Sequence, residues 1–150
     1  MMSAKAALFE HSPWVEARAD AAPSTGDRHA DLMRVVMAAS RDEQLALIRA
    51  HPELAGKAAI DRTLTEASAA EQASVGLDRL TPAEFERFHT LNAAYRARFD
   101  MPFIICVRLT DKAGILAAME ARLGNGREVE IATALGQIGE IVRLRLEDMA

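Results

Sequence analysis

The sequence predicts an all-α fold, a single compact bundle of about six to eight helices. Two observations favour this fold class. Apolar residues recur at helical spacing along much of the chain, and two of these segments are preceded by helix-start signals. Only one short apolar run is typical of a β-strand. At 150 residues, the chain (1–150) is predicted to form one domain around one hydrophobic core.

Two helix starts are marked by capping boxes. Ser40 is followed three residues later by Glu43, and Thr81 is followed three residues later by Glu84. A proline directly after Thr81 occupies the first helical position, where proline is favoured. The second box therefore predicts a helix over residues 82–99. One face of this helix, or the positions beside it, carries Phe85, Phe88, Leu91, Asn92, Tyr95 and Phe99.

Two further helices are predicted nearer the C-terminus. The longer one starts soon after Gly126, because apolar residues follow at steps of four, three, four and four. These residues are Ile131, Leu135, Ile138, Val142 and Leu146. The preceding helix has Gly124 or Gly126 available as its terminator. Its apolar face carries Ile115, Leu116, Met119 and Leu123.

The run "MPFIICVRL" (101–109), here termed the apolar segment, is the exception to the helical pattern. Its branched and aromatic side chains are compatible with one buried strand. A lone strand leaves its backbone N–H and C=O groups without partners, and the sequence offers no clear second strand. A buried extended connector or a helical piece is therefore favoured.

Composition and charge exclude several classes of protein. The formal net charge is −4 and basic residues are scattered among acidic ones, so no nucleic-acid partner is expected. The single cysteine, Cys106, excludes an intramolecular disulfide and a cysteine-rich metal site. No apolar stretch approaches the length of a membrane span, and the N-terminus lacks the apolar core of a signal peptide. We expect a soluble, cytoplasmic protein without a membrane partner.

The stretch "RAHPEL" (49–54) places His51 directly before Pro52. Proline disfavours helical backbone in the preceding residue, so the helix is predicted to end at His51. Two interpretations stay open. The imidazole either interacts with the helix dipole and has no special role, or it points into a site formed between helices. His11 lies at a similar proline-marked break, in "EHSPW".

The stretch "EASAAEQAS" places Ser68 and Glu71 within one helical turn, with Gln72 next to them. On spacing alone a third capping box is the favoured interpretation. A functional interpretation requires another chemical group to converge on these residues.

Several separate motifs occur in the order that one known family has them. They are His-Pro-x-Leu in "LIRAHPELAGKAA" (47–59), Ser-x-x-Glu-Gln and Leu-Asn-x-x-Tyr within residues 64–100, and an apolar run closed by arginine in "PFIICVR" (102–108). Together with "FEHSPWV" and "EIATALGQIGEIVRLRLED" (130–148), they cover nearly the whole chain. In these motifs the sequence resembles the 2-oxo-4-hydroxy-4-carboxy-5-ureidoimidazoline (OHCU) decarboxylases of urate degradation.

The resemblance implies an all-helical, cofactor-free enzyme that takes the last step from urate to (S)-allantoin, and it favours a homodimer. The small-molecule substrate would be OHCU, and His51 would act at the reacting centre. By the same correspondence, the residues around the substrate would be Pro52, Ser68, Glu71, Gln72, Ile104, Ile105 and Arg108. Asp100 stands where the family commonly has glycine, a mild departure because aspartate tolerates left-handed backbone.

The residue types suit this chemistry. Loss of CO2 leaves an electron pair, and an oxidised imidazoline has its own carbonyl and C=N groups to accept it, so no cofactor is required. We expect Glu71 to hold His51 in one tautomer and to raise its pKa, making both residues catalytic. Ser68 and Gln72 offer neutral hydrogen bonds, and Arg108 offers a planar donor for an anion or a carbonyl.

Two alternatives belong to other classes of protein. A non-catalytic helical interaction module would also account for the apolar stripes, and would make the His-Pro and Ser-x-x-Glu-Gln motifs simple helix caps. A helical metal enzyme is disfavoured, because no His-x-x-x-His or Glu-x-x-His pair presents two ligands on one helix face. We therefore expect no metal site.

Overall fold

The computed structural model describes residues 8–55 and 65–149. Within these two ranges the chain forms seven α-helices, one 3₁₀-helix and no β-strand, so the predicted all-α class and helix number are confirmed. The α-helices are α1 (Trp14–Asp20), α2 (Arg28–Ala38), α3 (Arg41–Ala50), α4 (Glu66–Ser74), α5 (Pro82–Phe99), α6 (Lys112–Arg122) and α7 (Arg127–Asp148). The 3₁₀-helix spans Val107–Leu109.

Both predicted capping boxes are present. The hydroxyl of Ser40 accepts from the Glu43 amide at the start of α3, and Thr81 accepts from the Glu84 amide at the start of α5. In each box the glutamate side chain accepts in return from the N-cap amide. Helix α5 ends at Asp100, which has the left-handed φ of 58°. Aspartate is among the few non-glycine residues that adopt this conformation readily.

The core is built from the helix faces that the periodicity predicts. On α5, Phe88, Leu91, Asn92, Tyr95 and Phe99 are buried, and Tyr95 packs against Phe99 with ring centroids 4.6 Å apart. Phe85 is the exception at 42% exposure, because it lies in the first turn of α5 and stacks on the exposed His89 ring. The helical period alone does not reveal how far the covering elements extend along a helix.

Contacts between helices determine where α3, α4 and the apolar segment lie relative to one another. Helices α2 and α3 lie against α7, α6 lies against α5, and α4 lies beside the 3₁₀-helix. Residues 102–106 of the apolar segment are mostly buried and belong to no helix or sheet, and Cys106 has extended backbone, which agrees with the predicted connector. Within the described ranges, no helix has the length and apolarity needed to cross a membrane.

Candidate active site

A cleft lies between the C-terminal end of α3, the side of α4 and the apolar segment. About 430 Å³ of space lies between its walls, part of it open to solvent. All the site residues predicted from the sequence line it, namely His51, Pro52, Ser68, Glu71, Gln72, Ile104, Ile105 and Arg108. The fold thus brings together residues that lie up to 57 positions apart in the sequence, from His51 to Arg108.

His51 caps the C-terminal end of α3 with extended backbone, as its position before proline predicts. Its side chain is 5% exposed. Nδ1 lies 2.8 Å from the carbonyl oxygen of Leu47. A carbonyl only accepts, so Nδ1 carries the proton and Nε2 carries the lone pair. Nε2 is buried and has no hydrogen-bond partner among the described residues, which leaves an imidazole acceptor on a residue that lines the cleft.

Burial lowers the pKa of His51 to about 4, since removing water disfavours the charged imidazolium. The hydrogen bond to Leu47 and the nearby Glu10 carboxylate oppose this effect, whereas Arg145 and His11 add to it. The ring is therefore neutral at physiological pH. The expectation that Glu71 raises this pKa is wrong, because the Glu71 carboxylate is engaged elsewhere.

Glu71 is paired with Arg145 of α7, not with His51. The guanidinium donates to both carboxylate oxygens, with Nε 2.9 Å from Oε2 and Nη2 2.7 Å from Oε1. Arg145 is only 6% exposed, and its Nη2 also donates to the Ser68 hydroxyl at 3.1 Å. The predicted tautomer-fixing role of Glu71 is thus taken by the Leu47 carbonyl, which is one helical turn before His51.

A second carboxylate, that of Glu10, lies behind Ser68 and is fully buried. It accepts from the Ser68 hydroxyl at 2.6 Å and from the Thr65 hydroxyl and amide at 2.7 and 3.1 Å. Burial raises the pKa of Glu10, but these hydrogen bonds and the charge of Arg145 outweigh that effect, so the pKa lies below its usual value. Behind the Ser68 and Glu71 side chains that line the cleft, the Arg145 guanidinium therefore lies between two carboxylates.

The favoured interpretation of Ser68 and Glu71 as a capping box is wrong. Thr65 is the N-cap of α4, and its hydroxyl accepts from the Ser68 amide. Ser68 lies three residues further along, inside the first turn, so its hydroxyl is available for Glu10 and Arg145. A serine three residues before a glutamate has the spacing of a capping box, but here the helix begins three residues earlier, after Thr65.

Gln72 ties α4 to the turn that follows His51. Its Oε1 accepts from the Ala55 amide at 3.0 Å, and its Nε2 donates to the Glu53 carbonyl at 3.4 Å. Ala55 has a φ of 54°, a conformation that costs energy for alanine and needs such support. Besides lining the cleft, Gln72 therefore holds the backbone around His51 in place.

The opposite wall is the apolar segment. Ile104 is buried, Ile105 is partly buried, and Arg108 lies at the rim with its side chain 31% exposed. The Arg108 guanidinium donates to both oxygens of Asp148, at 2.7 and 3.2 Å. The rim thus contains a charge pair beside an otherwise apolar wall.

Two charged residues that contact the cleft-lining Ser68 from behind, Arg145 and Glu10, were missed by sequence reasoning. Arg145 lies seven residues after Ile138, so it falls on the buried side of α7. A charged residue on this apolar stripe was the signal in the sequence that could have identified it. Glu10 gave no signal of its own beyond its position beside the proline-marked break. The neighbouring His11 is 60% exposed, with its Nε2 3.6 Å from Glu10.

No cluster of three or more histidine, cysteine, aspartate or glutamate side chains suited to a metal ion occurs within residues 8–55 and 65–149.

The chain is similar to proteins of one family. The family model described as OHCU decarboxylase matches residues 1–147. A protein of Haloferax volcanii named 2-oxo-4-hydroxy-4-carboxy-5-ureidoimidazoline decarboxylase is 41% identical over 145 residues, which are 94% of this chain and 83% of the relative.

Two solved structures are also similar. The crystal structure of (S)-allantoin synthase has a TM-score of 0.69 and 32% identity, and the match covers 97% of this chain and 48% of that one. A crystal structure of OHCU decarboxylase in the presence of (S)-allantoin has a TM-score of 0.71 and covers 98% and 97% of the two chains. Its 16% identity makes it a match of fold alone.

Proposed function

The chain belongs to the OHCU decarboxylase family, and we propose that it removes CO2 from OHCU to form (S)-allantoin in urate degradation. One observation carries the assignment of the cleft as the active site. His51 presents a buried Nε2 without a hydrogen-bond partner among the described residues, and every other predicted site residue lines the same cleft.

The proposed reaction needs a proton acceptor and an electron sink. When the carboxylate leaves as CO2, the electron pair of the broken C–C bond forms a C=C bond to the neighbouring ring carbon. The π electrons of that carbon's C=N bond move to the nitrogen, which takes up a proton. The resulting enol loses its hydroxyl proton while the neighbouring carbon gains one, which gives the carbonyl of allantoin. The net change is one proton taken from water for each CO2 released.

Neutral His51 is suited to accept the hydroxyl proton in this reaction. Its Nδ1–H is committed to the Leu47 carbonyl, so Nε2 is the atom that accepts a proton from the substrate hydroxyl. A ring with a pKa of about 4 stays ready to accept throughout the neutral range, although it is a weak base. The imidazolium formed would then return a proton to one face of the neighbouring carbon, which would set the stereochemistry.

Glu71 is proposed to act on the substrate directly. Because Arg145 holds both of its oxygens from behind, the carboxylate has a fixed orientation and accepts from N–H groups of the ureido or imidazoline moiety. Arg108 would donate to a carbonyl or carboxylate of the substrate at the rim. Ile104 and Ile105 provide an apolar wall that excludes water.

Turnover of freshly made OHCU by the purified protein, followed in the ultraviolet, is the direct test. Chiral analysis should identify (S)-allantoin as the product. His51→Asn should keep helical circular dichroism yet lose about 10²–10⁴-fold in activity if His51 does acid–base work. A folded His51→Asn protein with near-normal turnover would exclude that role. Absence of turnover by the unaltered protein would favour the alternative of a non-catalytic interaction module.

Cofactor independence is a separate part of the proposal. The ring of OHCU accepts the electron pair itself, so we expect full activity after exhaustive dialysis against a chelator. Loss of activity that one metal ion or one organic cofactor restores would contradict this.

Three further proposals accompany this function: residues 1–150 form one OHCU decarboxylase-like domain, the protein is a homodimer, as the family resemblance favours, and it is cytoplasmic, as its single cysteine suggests. Light scattering coupled to size-exclusion chromatography tests the homodimer, since a monomeric mass would exclude it. Fractionation of the cells that produce the protein would test the compartment.

A further inference from the structure

The apolar segment has hydrogen-bonding groups that no neighbouring strand satisfies. Residues 103–108 line the cleft, while residues 101–106 belong to no helix and the described chain has no strand to pair with them. Buried backbone N–H and C=O groups nevertheless require partners. Side chains of α6 and α7 supply partners for two of these groups, the Ile104 carbonyl and the Cys106 amide.

Arg122 of α6 provides the first partner. Its Nη1 donates to the Ile104 carbonyl at 2.7 Å, and its guanidinium lies 4.2 Å from the ring centroid of Phe103. Nε donates to the Glu130 carboxylate of α7 at 2.8 Å. Glu130 is fully buried and also accepts from the Tyr95 hydroxyl at 2.5 Å. Arg122 is therefore held in one orientation while it binds the segment.

Gln137 of α7 provides the second partner, since its Oε1 accepts from the Cys106 amide at 2.9 Å. Glu130, Gln137 and Asp148 are spaced by seven and eleven residues, which are close to whole numbers of helical turns. They thus lie along one side of α7. Asp148 at the end of this row accepts from Arg108. Gln137 and Asp148 thus bind the segment directly, whereas Glu130 is linked to it through Arg122.

We propose that Arg122 and Gln137 are positioning residues that fix the substrate-facing wall of the cleft, an inference that rests on the proposed decarboxylase function. Neither residue lines the cleft. Each acts through a backbone group of the apolar segment, Ile104 for Arg122 and Cys106 for Gln137. Without these bonds the wall has no sheet to hold it, and the substrate loses its orientation toward His51.

Gln137→Met tests the proposal because methionine keeps the length of the side chain and removes the acceptor. We expect kcat/KM for OHCU to fall about 10- to 100-fold, mostly in kcat, since small misplacements of a substrate have effects of this size. Arg122→Lys should give the same pattern, because an ammonium keeps the charge near Glu130 but lacks the planar geometry that serves two acceptors.

Gln44→Met is the matched control. Gln44 is buried and its amide donates to the Val36 carbonyl at 3.0 Å, so the substitution also removes a bond between a glutamine side chain and the backbone. It does not line the cleft, and its side-chain hydrogen bonds go to the Val36 and Met37 carbonyls of α2, not to the apolar segment. Gln44→Met should lose thermal stability at least as much as Gln137→Met, while its kcat and KM stay unchanged.

The thiol of Cys106 gives a measurement that does not depend on turnover. It is the one cysteine of the chain, it is 2% exposed, and burial raises its pKa, so it should react slowly with 5,5′-dithiobis(2-nitrobenzoate). We expect a several-fold faster reaction in Gln137→Met and an unchanged rate in Gln44→Met. Gln137→Glu keeps an acceptor oxygen and should react nearly as slowly as the unaltered protein.

Three results would overturn the proposal: equal kinetic losses in Gln137→Met and Gln44→Met, an unchanged thiol rate in Gln137→Met, or a Gln137→Glu rate as fast as that of Gln137→Met. If the unaltered protein does not decarboxylate OHCU, the proposed function fails. The thiol rates then still decide whether Gln137 holds the segment.

Discussion

Replacing His51 with asparagine is expected to change how the stability of the protein responds to acid. Burial lowers the pKa of His51 from 6.5 to about 4. Between these pH values the unfolded chain binds a proton at this residue and the folded chain does not. The free energy of unfolding therefore falls as the pH drops from 6.5 to 4 and recovers as the pH rises.

The magnitude follows from the two pKa values. They lie about 2.5 pH units apart and each pH unit corresponds to about 1.4 kcal/mol, so the full loss is about 3 kcal/mol at pH 4. One kcal/mol corresponds to roughly 2–4 °C in thermal midpoint for a chain of this size. Between pH 7 and pH 4 the midpoint of His51→Asn should thus fall roughly 6–12 °C less than that of the unaltered protein.

Thermal unfolding followed by circular dichroism at pH 7, 6, 5 and 4 measures the midpoints, and urea unfolding at the same pH values measures the free energies. His51→Asn also loses packing and the Leu47 hydrogen bond, which lowers its stability at every pH. The carboxylates titrate in both proteins. The difference in stability between the unaltered protein and His51→Asn, plotted against pH, therefore isolates the contribution of His51. Curves that stay parallel from pH 7 to pH 4 would refute the assignment of His51 as a buried neutral imidazole.

Arg145→Met should destabilise the protein by about 3–5 kcal/mol, because it leaves the Glu71 carboxylate without its buried partner. Adding Glu71→Gln to Arg145→Met should recover part of that loss. The thermal midpoints of the unaltered protein, the two single variants and the double variant measure this coupling, and losses that simply add in the double variant would contradict it. Arg108→Lys should change stability by less than about 1 kcal/mol, since its pair with Asp148 is partly exposed. Steady-state kinetics should nevertheless show a lower kcat/KM, and unchanged constants would remove Arg108 from the site. Glu10 has a lowered pKa, so it contributes stability above pH 4.5 that is lost as the pH falls through its folded-state value. Glu10→Gln should therefore be less stable at pH 7 and lose less on acidification, whereas an unaltered acid response would contradict the role of the buried carboxylate.

The sequence by itself was sufficient for the features that depend on neighbouring residues. The capping boxes at Ser40 and Thr81, the extended backbone of His51 before proline and the stripe on α7 all arise from contacts within about one helical turn or from the helical period. Such interactions leave a fixed spacing in the sequence. The sequence also offered no clear second strand, and the residues that the structure describes contain none to pair with the apolar segment.

The members of the candidate site were expected from motifs that resemble a family, but their partners were not. Glu71 was expected to contact His51, and it contacts Arg145, 74 residues further along the chain. Glu10 meets Ser68 across 58 residues. No rule of spacing relates residues so far apart, because their contact depends on how the helices pack.

The protonation state of His51 was decided by the tertiary structure in the same way. A histidine before proline is compatible with an exposed, charged ring or with a buried, neutral one. Burial by residues from distant elements makes it neutral, and the Leu47 carbonyl places its lone pair on Nε2. Local sequence determined where the helices begin and end, whereas long-range packing determined which charges are paired and which nitrogen remains to accept a proton, because desolvation depends on everything that surrounds a group.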